Sequence, residues 1–181
     1  MRRRGGFTLM ETVLVLAILV IATAISVPVI SSMLLDSHMD AGADLVRARL
    51  ADTRAKALET GVPWKIAYLP GTGIIQFAAE DSTQWDNTSD QTPQEMPDFT
   101  RDVLPKNILL AKNRDDIASA SGQVQPSGGW ETLVIYTADG SGRDDGEVYI
   151  GAAGLMPLRM RVRGLTGAVT LDVPIVVRDQ Q

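Results

Sequence analysis

The feature that most constrains this chain is a run of 24 residues, 12–35, without a single charge. Within it residues 13–29 are almost wholly Val, Leu, Ile and Ala, enough to cross a bilayer core that requires about 20 apolar residues. Such a run is a transmembrane helix or a targeting segment. Arg2, Arg3 and Arg4 precede it, and basic residues at one end of an apolar helix hold that end in the cytoplasm, so the remainder is expected on the far side.

One reading of this start is a secretory signal peptide, with Ala22-Thr23-Ala24 as its cleavage site. Two features oppose it. Glu11 places a carboxylate at the head of the apolar run, where burial in lipid costs roughly 2.5–3.5 kcal/mol unless a partner is found. Beyond Ala24 the helical pattern continues in amphipathic form, with Leu35, Met39, Ala43, Val46, Leu50, Thr53 and Ala57 recurring every three or four residues. A disposable signal would not be fused to the main helix of the protein.

The run Gly5-Gly6-Phe7-Thr8-Leu9-Met10-Glu11, followed by the apolar stretch, resembles the leader of type IV pilins and type II secretion pseudopilins. The resemblance implies cleavage by a prepilin peptidase between Gly6 and Phe7 and N-methylation of Phe7. Glu11 becomes the fifth residue of a 175-residue mature chain and an assembly residue that meets the amino group of a neighbour's Phe7. Pro28 stands where members of this superfamily commonly carry a helix-kinking proline, and a proline both lacks a donor and crowds the carbonyl four residues back. The expected organisation is a leader over residues 1–6, a transmembrane helix over 7–30, the amphipathic half of that helix over 31–60, and a β-rich periplasmic domain over 61–181.

The helix is expected to stop at Thr60, because Gly61 can take the left-handed cap conformation and Pro63 cannot continue it. Asp36, Asp40, Asp44, Arg47, Asp52, Arg54, Lys56 and Glu59 read as its solvated face. After it the period changes to that of strands: 62–69 and 74–79 flank a Pro70-Gly71-Thr72-Gly73 turn, and 108–111, 131–137, 147–151, 158–163 and 168–173 follow. Residues 80–103 hold seven acidic side chains against Arg101 alone and read as a surface loop, as do residues 114–129. A long helix packed on an antiparallel sheet is an α+β architecture, the pilin-like one. Two stretches, Leu104-Pro105-Lys106-Asn107-Ile108 and Tyr136-Thr137-Ala138-Asp139-Gly140, are similar to those of H-type minor pseudopilins and FimT-type minor pilins.

Other chemistry finds little support. The body is acidic, 21 Asp and Glu against 14 Lys and Arg over residues 36–181, which argues against broad nucleic-acid binding. There is no cysteine, and His38 is the only histidine, so neither a thiolate nor a hydrolytic triad is available and no enzyme is expected. The stretch from Asp139 through Asp144 and Asp145 to Glu147 offers oxygen ligands for calcium, but Arg143 and the spacing break the EF-hand pattern, and a glycine-rich hairpin loop is the plainer reading. Trp64, Trp130 and Tyr136 read as core. Arg159, Arg161 and Arg163 alternate along one strand and would form a cationic ridge for phosphates or an acidic partner subunit. Two functions follow: a subunit of a type II secretion pseudopilus, or a FimT-type minor pilin of a type IV pilus that takes up DNA. Both place the chain in the inner membrane within a hetero-oligomeric filament of pseudopilins or pilins.

Overall fold

The structure, a computed structural model, describes residues 8–86, 92–119 and 129–172; within the first helix the side chains of residues 25–32 fall outside that description. Gly6 and Phe7 therefore lie outside the described residues, as does the side chain of Pro28. The chain divides into two compact units, the first ending at Ser37 and the second beginning at His38.

One helix, α1 (Leu9–Thr60), enters both units. In the second unit its amphipathic pattern is realised: Ala43, Val46, Leu50, Thr53 and Ala57 are buried, and the one polar member, Thr53, donates its hydroxyl to the carbonyl of Arg49 at 2.6 Å. The helix ends where the sequence indicates. Gly61 adopts φ +69°, its N–H donates to Ala57 O, and Thr60 accepts from the Trp64 indole at 2.8 Å. A Cβ at Gly61 would touch nothing within 4 Å, so Gly61→Ala isolates the conformational cost. It is expected to destabilise the body by about 1 kcal/mol in denaturant titrations, the penalty for a left-handed non-glycine residue.

Among the described residues nine strands follow in two antiparallel sheets, so the architecture is α+β. The first contains β1 (Trp64–Tyr68), β2 (Ile74–Ala79), β3 (Gln94–Glu95), β4 (Phe99–Val103) and β6 (Glu131–Tyr136), in the order β3-β4-β2-β1-β6. The second contains β5 (Leu109–Ala111), β7 (Gly146–Gly151), β8 (Leu158–Val162) and β9 (Val169–Asp172) in the order β5-β7-β8-β9. The 70–73 turn joins β1 to β2 and also stitches the sheets together, since Gly71 N–H donates to Leu110 O and Leu110 N–H to Thr72 O, both at 2.8 Å.

Two stretches depart from the loop reading. Residues 80–103 contain a 3-10 turn (Thr83–Asp86) and the strands β3 and β4, and residues 114–129 begin with a short helix, α2 (Arg114–Ser119), that buries Ile117. The cause for β4 is that its polar residues find partners on both faces of the sheet. Successive strand side chains point to opposite faces. Arg101 goes to the face away from α1, where its Nε and Nη2 donate to Gln76 Oε1 at 2.8 and 2.7 Å under the Trp130 ring. Asp102 goes to the other face and accepts from Arg49 Nε of α1 at 2.5 Å. The same turn region covers the outer face of β2, with Gln76 Nε2 donating to Gln84 O at 3.2 Å and Lys65 lying 3.9 Å over the Trp85 ring. A strand carrying Arg and Asp at adjacent positions is thus a core element.

Candidate functional site

At the start of α1 the sequence builds a helix that is apolar on every side. Thr8 caps it: its hydroxyl accepts from Glu11 N–H at 3.2 Å, and its carbonyl accepts from the N–H groups of Glu11 and Thr12. From Leu9 to Ala24 every side chain is exposed, including Leu9, Leu14, Ile18, Leu19 and Ile21. The two threonines add no polarity outward. Thr12 donates to Leu9 O at 2.8 Å and Thr23 to Leu19 O and Val20 O at 2.9 Å, so their hydroxyls are satisfied within the helix. Glu11 alone remains: its carboxylate has no hydrogen-bond or ion-pair partner among the described residues. Among those residues no helix is long and apolar enough to cross a membrane; the described side chains of the apolar run end at Ala24.

On the body, the three arginines do not form a bare cationic ridge. Arg159 and Arg161 share a face of β8, but Arg159 pairs with Asp172 of β9 at 3.6 Å and Arg161 with Glu147 of β7 at 3.2 Å. Arg163 lies past the end of β8, exposed, with no side-chain partner among the described residues.

In the stretch from Asp139 to Glu147 three carboxylates, those of Asp139, Asp145 and Glu147, bind groups of the protein itself. Asp139 Oδ1 accepts from the Thr137 hydroxyl at 2.6 Å and from the Ser141 N–H and hydroxyl at 2.9 and 2.7 Å, which lowers its pKa to about 2. Asp145 accepts from Gly164 N–H at 2.7 Å, and Glu147 from Arg161 and Tyr149. Among the described residues no three carboxylates or histidines converge on a point that could hold a metal.

Trp64 and Tyr136 are buried as expected, and burial raises the Tyr136 pKa. Trp130 is half-buried, set edge-on to Trp85 at 6.0 Å as a lid over Arg101. Arg143, which breaks the EF-hand pattern, clamps Glu80 through two bonds of 2.6 and 2.8 Å, and that pairing lowers the Glu80 pKa.

Sequence reasoning did not find a groove of about 520 Å³ between α1 and the β3–β4 connection. Trp64 and Phe77 line its floor, Met96 and Pro97 one wall, and Asp52, Glu59 and Glu95 bring carboxylates to it. Its one legible signal was Glu95-Met96-Pro97, an apolar pair inside the stretch read as an acidic loop.

Comparison with protein-family models and with curated proteins returns no match. Among solved structures the chain is similar to the minor pseudopilin EpsH from the type 2 secretion system of Vibrio cholerae, at 15% sequence identity and a TM-score of 0.45, over 73% of this chain and 94% of that one.

Proposed function

We propose that this chain is a minor pseudopilin, a structural subunit without catalytic activity, which supports protein secretion from within a type II secretion pseudopilus. The observation that carries this reading is the opening of α1: apolar and exposed on every side from Leu9 to Ala24, with its hydroxyls turned inward and one carboxylate, Glu11, left over in the first turn. A helix of this kind has to be surrounded by lipid or by other helices. The leader-like run from Gly5 to Glu11 supplies the rest: prepilin peptidase cuts after Gly6, Phe7 is N-methylated, and the helix anchors the chain in the inner membrane, N-terminus cytoplasmic and body periplasmic. Other pseudopilins then take up the helix, and Glu11 finds a cation there.

The FimT-type alternative, DNA uptake, draws on a ridge of free cations. Two of the three arginines are already neutralised by Asp172 and Glu147, which favours secretion.

Intact-mass measurement on protein purified from its native membrane tests the reading. The expected chain starts at Phe7 and carries one added methyl group, and Gly6→Val retains the six-residue leader while remaining membrane-bound. A mature start at Ile25 would overturn it in favour of a cleaved secretory signal.

A further inference from the structure

The groove between the C-terminal part of α1 and the β3–β4 connection carries more negative charge than the chain balances. Arg49 is shared between Asp52 at 2.9 Å and Asp102 at 2.5 Å, and Lys56 reaches Glu59 at 3.2 Å. Glu95 is exposed and has no side-chain partner among the described residues. Two cations thus face four carboxylates around one cleft. The surplus surrounds apolar matter: Met96 is 51% exposed at the mouth, Pro97 stands beside it, and the floor is aromatic. At about 520 Å³ the cleft admits a long side chain.

Ala55, which lines the groove, also belongs to a stripe that runs on beyond it. Ala48, Ala51, Ala55 and Leu58 recur at helical spacing, all exposed, on the side of α1 opposite the buried Val46, Leu50 and Ala57. An exposed apolar surface rimmed by charge marks a protein contact. A small cationic molecule would fill the cleft and leave the stripe bare, whereas a protein covers both.

We propose that the groove receives an arginine side chain, flanked in its own chain by an apolar residue, from a different subunit of the filament. A guanidinium suits the site because it pairs with a carboxylate through two parallel bonds, stacks on aromatic faces and is weakly hydrated for a cation. Glu95 and Glu59 supply the carboxylates at the rim, and the apolar neighbour lies along the alanine stripe. The inference rests on the minor-subunit reading, in which the chains on either side of this one are other subunits, and it deepens that reading by naming the surface and the chemistry of the partner.

The test uses the full chain in its native strain, with the photo-reactive residue benzoyl-phenylalanine replacing Met96 or, separately, Ala55. Both positions are exposed, so thermal midpoints should stay at the parent value. Irradiated membranes are expected to yield an adduct from each position whose cross-linked peptide belongs to a different pilin-like subunit and contains an arginine. Glu95→Arg and Glu59→Arg should each lower the yield about tenfold, and reversing the partner's arginine to glutamate should restore it in the Glu95→Arg chain. Raising the salt concentration should lower the yield as well, since the rim charges are open to solvent. An adduct with a second copy of this chain, or a yield indifferent to both reversals, overturns the contact. So does the absence of an adduct; if the chain still co-isolates with pilin-like subunits, the minor-subunit reading survives, and if it co-isolates with none, both fall.

Discussion

Arg101→Ala is expected to remove about 3–5 kcal/mol from the stability of the body, a large part of the 5–15 kcal/mol typical of a domain. Arg101 is 1% exposed, and two of its N–H groups donate to one oxygen, Gln76 Oε1, beneath Trp130. Truncation leaves that oxygen buried without a donor and opens a cavity between β2, β4 and the Trp130 lid, and each effect alone costs a few kcal/mol. Arg101→Met fills most of the volume and should lose less. Combining it with Gln76→Leu should recover stability further, because replacing both partners of a buried polar pair by apolar groups removes the desolvation cost as well as the bond. Urea titration followed by tryptophan fluorescence reads all three, as a shifted midpoint at constant slope. A loss below about 1 kcal/mol for Arg101→Ala would mean that the outer face of the first sheet is open to water and that 80–103 is a loop after all.

This residue also marks where the sequence stopped being readable. The amphipathic half of α1, its end at Gly61, the first hairpin and the strands from β5 onward follow from spacing, glycine conformations and apolar alternation, which are local properties. The strand β4 is not a local property. Phe99-Thr-Arg-Asp-Val carries a charge pair in its middle, and only tertiary partners, Gln76 and Trp130 on one face and Arg49 on the other, make those charges compatible with a sheet interior. The arginine ridge is less bare than its own strand suggests, for the related reason. Alternation correctly placed Arg159 and Arg161 on one face, but cross-strand carboxylates from β7 and β9 share that face, and a single strand's pattern cannot reveal its neighbours. At the candidate site itself, the apolar helix and Glu11 were legible because a charge-free run and the carboxylate at its head are local properties of the sequence; the groove was not, because it joins segments distant in sequence.

Glu11→Ala is expected to leave membrane insertion and leader cleavage intact while reducing incorporation into the filament by well over tenfold. In the isolated chain the carboxylate sits in the first turn of α1, where it interacts favourably with the helix dipole, a contribution of about 0.3–1 kcal/mol. Against this stands a cost of roughly 2.5–3.5 kcal/mol for a charged residue at bilayer depth. Alanine thus makes the monomer at least as comfortable in lipid, and it is a better helix former than glutamate. The body should be untouched, since Glu11 and the described core belong to separate units of the chain and the core residues all lie at or beyond Ala43. The carboxylate therefore contributes only where a cation appears, and under the proposed function that is among stacked helices, where removing one partner of a buried ion pair typically costs 3–5 kcal/mol. At 1.4 kcal/mol per tenfold, a loss of that size lowers incorporation by two to three orders of magnitude. Glu11→Gln should lie close to Glu11→Ala in assembly, as the amide keeps the shape and lacks the charge; Glu11→Asp should recover part of it. Co-isolation of each variant with its partner subunits, alongside secretion in a strain lacking the native copy, reads the outcome. Wild-type incorporation of Glu11→Ala would overturn the charge-pairing role and leave the exposed apolar surface as the sole determinant of assembly.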